Sequence, residues 1–274
     1  MESATTTSHA NAWLFGAGAT VLLLLALTSI ARVAPSRWKD RLLVGFGVDA
    51  AIAGFTLGPF ALALALPAVR QGGWIAWLIA PTIAAIVYLA LWCAIDELVR
   101  GERRGFHIRT YWIRRDGWLR YALGWSILLA VPVFWSVRLA QIVVYPVLNI
   151  AWGLPRLRTG EYIALSRHKT RGLVGADYLF CLYCEWMTGL WSLGTDMLRN
   201  LESMWCPLRF GRADQCERCS QTFPDIARWA DPAAGMTGVE EFYQLHYEGR
   251  PMGERSHLGA RKQSGESQPP ETSA

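Results

Sequence analysis

Residues 71–95 read QGGWIAWLIAPTIAAIVYLALWCAI, a stretch without one charged side chain. A helix needs about 20 predominantly apolar residues to cross the roughly 30 Å hydrocarbon layer. In lipid the backbone must satisfy its own N–H and C=O groups, so an apolar run of this length without alternation is a helix. The span is expected at about 74–95, from Trp74 to Ile95. Two neighbours read the same way. One covers about 12–30, from Ala12 to Ile30, centred on Val21-Leu22-Leu23-Leu24-Leu25. The other covers about 42–66, from Leu42 to Leu66, where Asp49 is the single charge. A fourth apolar run, 121–154, is too long for one straight crossing and holds Pro132, Arg138 and Pro146. It is expected to be broken, as a hairpin or re-entrant element.

The composition agrees. The chain has 274 residues, 52% hydrophobic and 18% charged, against about 25% charged in soluble domains. An ordinary soluble globule, a disordered chain and a nucleic-acid module are excluded, and the net charge of +5 calls for a membrane explanation. The fold class expected is an all-α integral membrane protein: a helical bundle over 1–154, then a small Cys-rich helical domain stabilised by metal at the membrane surface over 155–250. Residues 251–274, rich in Gly, Ser, Pro and Glu and lacking aromatics, are expected to be a disordered tail.

Basic residues in short loops orient a bundle, the richer side being cytoplasmic. Residues 1–31 have no Lys or Arg, so a cleaved signal is not expected. The first loop carries Arg32, Arg37, Lys39 and Arg41; the second has Arg70 alone; the third, 96–120, has seven arginines. The N-terminus is therefore expected outside and the first and third loops in the cytoplasm. Arg156, Arg158, Arg167, Lys169 and Arg171 follow the fourth run at once, which favours a cytoplasmic Cys-rich domain. Arginine outnumbers lysine 24 to 3, a skew that fits a GC-rich bacterial genome and hence a multi-pass protein of a bacterial inner membrane.

Five of six cysteines fall between 181 and 219. Cys181 and Cys184 form one C-x2-C pair, Cys216 and Cys219 another, with Cys206 between them. Two such pairs are a common route to a tetrahedral thiolate site, because two intervening residues let both sulfurs aim at one ion. The apolar setting of the first pair and the 31-residue gap weaken the resemblance to short zinc knuckles. Zinc on Cys181, Cys184, Cys216 and Cys219 is the first expectation, with Cys206 or His246 as substitute ligands. An iron or iron–sulfur centre is the alternative, and disulfide or thiol redox chemistry a further one. Cys93, inside the third span, reads as a buried apolar residue.

Two intramembrane polar residues stand out. Asp49 lies seven residues past Leu42, about 10 Å deep on a straight helix, and Arg138 lies about 26 Å from Tyr121. Those depths differ too much for an ion pair. Ionisable residues within spans are functional candidates, so Asp49 raises the possibility of a small transporter or channel; a hydrogen-bonded packing residue is the plainer reading. Ala50, Gly54 and Gly58 recur every fourth residue, a small-residue face for helix packing. Pro59 and Pro81 are candidate kinks. Asp96, Glu97 and Glu102, beside Arg100, Arg103 and Arg104, read as a solvated helix end with i,i+3 and i,i+4 pairs. Trp186, Leu190, Leu193, Met197, Leu201 and Met204 recur at helical spacing, an apolar stripe for packing or for the bilayer surface.

No Walker loop, G-x-G-x-x-G, G-x-S-x-G or histidine box is present, so a non-enzymatic role is expected. The reading is a membrane-anchored, zinc-binding accessory, assembly or scaffold subunit. Its partners would be the lipid bilayer and a membrane or membrane-associated protein, with no nucleic acid. A membrane oxidoreductase subunit with cysteine-ligated iron is the alternative.

Overall fold

The computed structural model describes residues 2–101, 106–205, 232–246, 248 and 249. Among them the chain is helical, with no strand beyond an isolated Val44–Ala164 bridge. Three helices are long and apolar enough to cross a membrane: Asn11–Ala31, Ala76–Arg100 and Trp118–Trp152. A fourth crossing is possible through a bent pair, Phe46–Thr56 with Gly58–Ala65. Backbone contacts divide the chain into two compact units, Met1–Pro132 with Thr159–Gly189, and Val133–Arg158 with Leu190–Ala274.

In the first unit, helix α1 (Glu2–Val33) is followed by α2 (Ser36–Leu42), α3 (Phe46–Thr56), α4 (Gly58–Ala65), α5 (Pro67–Gln71) and α6 (Gly73–Arg100). The second apolar run is not one straight helix. It bends by 55° between α3 and α4, where Gly58 and Pro59 open α4. Pro59 has no N–H to continue the α3 ladder, so the axis turns there. Pro67 opens α5 in the same way. Pro81, by contrast, sits inside an unbroken α6.

Side-chain contacts fix the directions. A Cβ on Gly54 would lie 3.3 Å from Leu27, one on Gly58 3.2 Å from Leu23, and one on Gly16 3.3 Å from Val69. Sequence numbers rise along α3–α5 as they fall along α1, so these elements run antiparallel. The Gly16 Cβ would also meet Ala80, and the Gly72 Cβ would meet Ala12. Thr28 Oγ1 shares a 2.6 Å hydrogen bond with Tyr88 Oη, so α6 runs parallel to α1. The result is an up–down–up bundle. The C-terminal ends of α1 and α6 share one end, and the Arg70 loop lies at the other. Leu14, Leu22, Ile83, Ile86 and Leu91 remain exposed, as an outward face toward lipid requires.

The fourth apolar run differs from the expected hairpin. Helix α8 (Trp118–Gly124), a 3-10 segment (Trp125–Ala130) and α9 (Val131–Trp152) follow one another as a single helical run. Pro132 falls at the changeover from 3-10 to α, where its missing N–H costs least, and Pro146 is carried inside α9. The bend falls in the second run, at the candidate kink Pro59, and not in this one.

Two helices follow, the short α10 (Thr159–Tyr162) and the long α11 (Gly175–Trp205), and in the second unit α9 lies along the C-terminal half of α11. The rings of Phe134 and Trp191 meet edge to face at 5.9 Å, Gln141 donates to the Leu190 carbonyl at 2.9 Å, and Asn200 donates to Tyr145 Oη at 3.1 Å. Leu190, Leu193 and Met197 are buried, so that part of the stripe is a packing surface. Asn200, a polar residue, is fully buried as well. Helix α12 (Gly235–His246) is also assigned to this unit.

Candidate functional site

The functional candidate of the first unit is the basic end of its bundle, where residues 159–189 are fastened. Gly45 N–H donates to the Ile163 carbonyl at 2.6 Å, and Leu165 N–H to Leu43 at 2.8 Å. Gly45 has φ +58°, a conformation that side chains resist, and its absent Cβ would approach the backbone of Gly160. Leu43–Gly45 thus leave the helical path, and α3 starts only at Phe46.

That start moves Asp49. On a helix beginning at Leu42 it would lie about 10 Å deep; on α3 it is in the first turn, about 5 Å along at 1.5 Å per residue. There its charge also suits the positive end of the helix dipole. Asp49 is 6% exposed and accepts the indole N–H of the wholly buried Trp186 at 3.1 Å. The bond joins α3 to α11, so the carboxylate is engaged in holding two elements together. Arg138 is buried in the second unit and donates to Gln141 Oε1 at 3.0 Å.

The C-terminus of α6 supplies the second fastening. Asp96, 1% exposed, receives Arg100 Nε and Nη2 at 2.6 Å each. The same carboxylate accepts the Gly175 N–H at 2.9 Å. Glu97 accepts the Ala176 N–H at 3.3 Å and pairs with Arg109 at 2.8 Å. The first N–H groups of a helix lack partners within it and carry partial positive charge, and here two carboxylates of another helix satisfy them. Asp177, in turn, accepts the Arg109 N–H at the start of α7 (Ile108–Asp116) at 3.1 Å. The helix-end pairs expected of Asp96 and Arg100 are present, yet the structure adds a contact 79 residues away in sequence.

On α11, Cys181 and Cys184 are partly buried free thiols. They stand three residues apart within a helix rather than a turn, so both still project to one side. Burial raises both thiol pKa values above the ordinary value, and the adjacent Arg167 guanidinium pulls each back in part. One turn on, Glu185 accepts the N–H groups of Ser166 at 2.8 Å and Arg167 at 3.1 Å. This holds the segment that bears Arg167 against the cysteine pair. Gly189 permits the closest approach, since a Cβ there would strike the Tyr162 carbonyl.

Among the described residues no group of three or more His, Cys, Asp or Glu converges on a point. Cys206, Cys216 and Cys219 lie outside the described residues, as does the His246 side chain. Of the small-residue face, Gly54 and Gly58 meet α1 while Ala50 is exposed. Cys93 is buried in α6. Glu185, Asp177 and Gly189 were not singled out by sequence. Gly189 sits inside an amphipathic helix pattern, and an interior glycine usually has a packing reason. The chain matches no protein-family model, no curated protein and no solved structure at a significant level.

Proposed function

We propose that this chain is a scaffold or accessory subunit of a membrane complex. Its bundle holds a thiolate metal site at the cytoplasmic face of a bacterial inner membrane. The observation that carries this reading is the fastening of 159–189 to the end of the bundle. Asp49, Asp96, Glu97, Asp177 and Glu185 are all engaged in joining elements. Carboxylates engaged in this way support a rigid mount for the cysteine pair more than a proton path through Asp49.

Among the described residues, the same end of the bundle bears Arg37, Arg41, Arg100, Arg109, Arg114 and Arg115, while the opposite end has Arg70 alone. With α1 and α6 parallel, this charge difference supports an external N-terminus and a cytoplasmic cysteine pair. Thiols in the cytoplasm stay reduced and available to metal. Zinc is proposed on Cys181 and Cys184 together with Cys216 and Cys219, Cys206 or His246 standing as substitutes. A centre of four thiolates and Zn²⁺ carries excess negative charge, and Arg167 beside the first pair would offset part of it.

Metal analysis of the full chain purified in detergent tests the proposal. The expected result is about one zinc per chain in a colourless preparation, lost in both Cys184→Ser and Cys216→Ser. Iron with a visible charge-transfer band would transfer the same ligands to an electron-carrying subunit. Unchanged metal content in both variants would remove these cysteines from any site.

A further inference from the structure

The first unit contains a cavity of about 420 Å³ beside the fastening of 159–189. Its walls are mainly the rings of Trp112, Tyr121, Trp125 and Phe180, drawn from α7, α8, the 3-10 segment and α11. The Trp125 and Phe180 rings meet edge to face at 5.3 Å, and Tyr121 meets Trp125 likewise at 6.3 Å. Gly124 forms part of the wall, and a Cβ placed there would meet nothing within 4 Å. The space is therefore open where α8 ends.

The charged lining residues are Asp116, Arg120 and Asp177. The Asp177 carboxylate is held by the Arg109 N–H. Asp116 and Arg120 stand 4.0 Å apart, with side chains 30% and 77% exposed. That is a loose pair whose members can each take another partner. The cavity opens at the start of the Trp118–Trp152 run, beside exposed Trp112 and Trp118. Amphipathic aromatic residues of this kind mark the level of lipid headgroups.

We infer that this cavity binds a zwitterionic phospholipid with a primary-amine headgroup. One acyl chain lies against the aromatic wall, the ammonium rests on Asp116 and the phosphate on Arg120. Charge decides the class. One guanidinium and two carboxylates leave the lining net negative, which disfavours a lipid of net negative charge. A side-by-side carboxylate and guanidinium complement a headgroup that has an ammonium next to its phosphate. The aromatic faces add cation–π attraction for the ammonium. The inference rests on the chain being embedded in a bilayer and is independent of any metal at the cysteines.

Native mass spectrometry of the full chain, released from detergent after incubation with phosphatidylethanolamine or phosphatidylglycerol of identical acyl chains, tests it. The expected result is one phosphatidylethanolamine retained per chain in preference to phosphatidylglycerol. Gly124→Leu places a Cβ that meets nothing within 4 Å, occupies part of the cavity, and should cut retention about tenfold, by displacing the burial of about two methylene groups. Asp116→Asn should abolish the preference while leaving the melting temperature and zinc content unchanged. Equal retention of both lipids by the unaltered chain would overturn the headgroup assignment. Undiminished phosphatidylethanolamine in Gly124→Leu would overturn the site.

Discussion

Replacing Asp96 by alanine should detach the start of α11 without disturbing the apolar bundle. The carboxylate is 1% exposed and serves two partners at once, the Arg100 guanidinium at 2.6 Å and the Gly175 N–H at 2.9 Å. Their losses differ in size. Arg100 keeps a half-exposed side chain, so solvent reclaims its charge and the pair contributes at most about 1 kcal/mol. The Gly175 N–H is left without this acceptor in a buried position, which costs about 1–3 kcal/mol. The sum, about 1–4 kcal/mol, acts on the local opening of residues 175–189.

Hydrogen exchange read by mass spectrometry on the full chain in lipid nanodiscs reports that opening. Amides of 175–189 should exchange about 5- to 700-fold faster, at a factor of ten per 1.4 kcal/mol. Those of 11–31 should keep their rates. Asp96→Asn retains a carbonyl that can accept the Gly175 N–H, so it should give a smaller acceleration than Asp96→Ala. Unchanged rates at 175–189, or equal acceleration in α1, would refute the role of this carboxylate as a helix anchor.

Three further outcomes are expected. Asp49→Asn should leave stability nearly intact because the amide oxygen still accepts the Trp186 N–H; Trp186→Phe should cost about 2–4 kcal/mol through the lost hydrogen bond to Asp49 and the lost volume, measured by thermal unfolding in detergent. Gly189→Ala drives a Cβ into the Tyr162 carbonyl and should destabilise by about 1–3 kcal/mol, visible as earlier protease cleavage between 159 and 189. In the metal-free chain, Arg167→Gln should slow alkylation of Cys181 and Cys184 near neutral pH, since the neighbouring cation no longer favours the thiolates. The same thiols, with Tyr183 pushed up to about 12 by burial, stay protonated when folded but ionise earlier when unfolded. Their contribution to stability is therefore complete below pH 9 and is lost as pH rises toward 12, the reverse of a carboxylate's behaviour; a melting temperature that climbs over that range would contradict it.

The apolar runs made the helices legible because lipid constrains composition more tightly than water does. A stretch such as 74–95 has no alternative to a helix. Charge placement in the loops was equally readable, and the parallel arrangement of α1 and α6 gives it a structural counterpart. What could not be read was the path of an apolar run after its composition had been settled. Leu42–Leu66 and Tyr121–Leu154 carry similar helix breakers, yet the first bends by 55° and the second continues. In the first, Gly58 and Pro59 start a new helix, and a Cβ on Gly58 would lie 3.2 Å from Leu23, so α4 packs closely on α1 where the bend falls. In the second, Pro132 meets a 3-10 segment that already lacks the α-type hydrogen bond. The same residue type therefore breaks one run and is absorbed by the other.

Asp96 and Asp49 extend this point from backbone to chemistry. Local pattern gave Asp96 a neighbour four residues away and gave Asp49 none. Each makes its contact with α11 through a partner 79 or 137 positions distant. A carboxylate inside or at the end of an apolar run must either be neutralised or find donors, and the sequence offers many donors without ranking them. The ranking comes from geometry, because α11 presents an otherwise unmet N-terminal N–H to one carboxylate and an indole N–H, eleven residues later, to the other. Eleven residues are about three helical turns, so both donors face the bundle from one side of α11. That common face explains why the two acids work as a pair of fixings, and why removing either should loosen residues 175–189 while sparing α1.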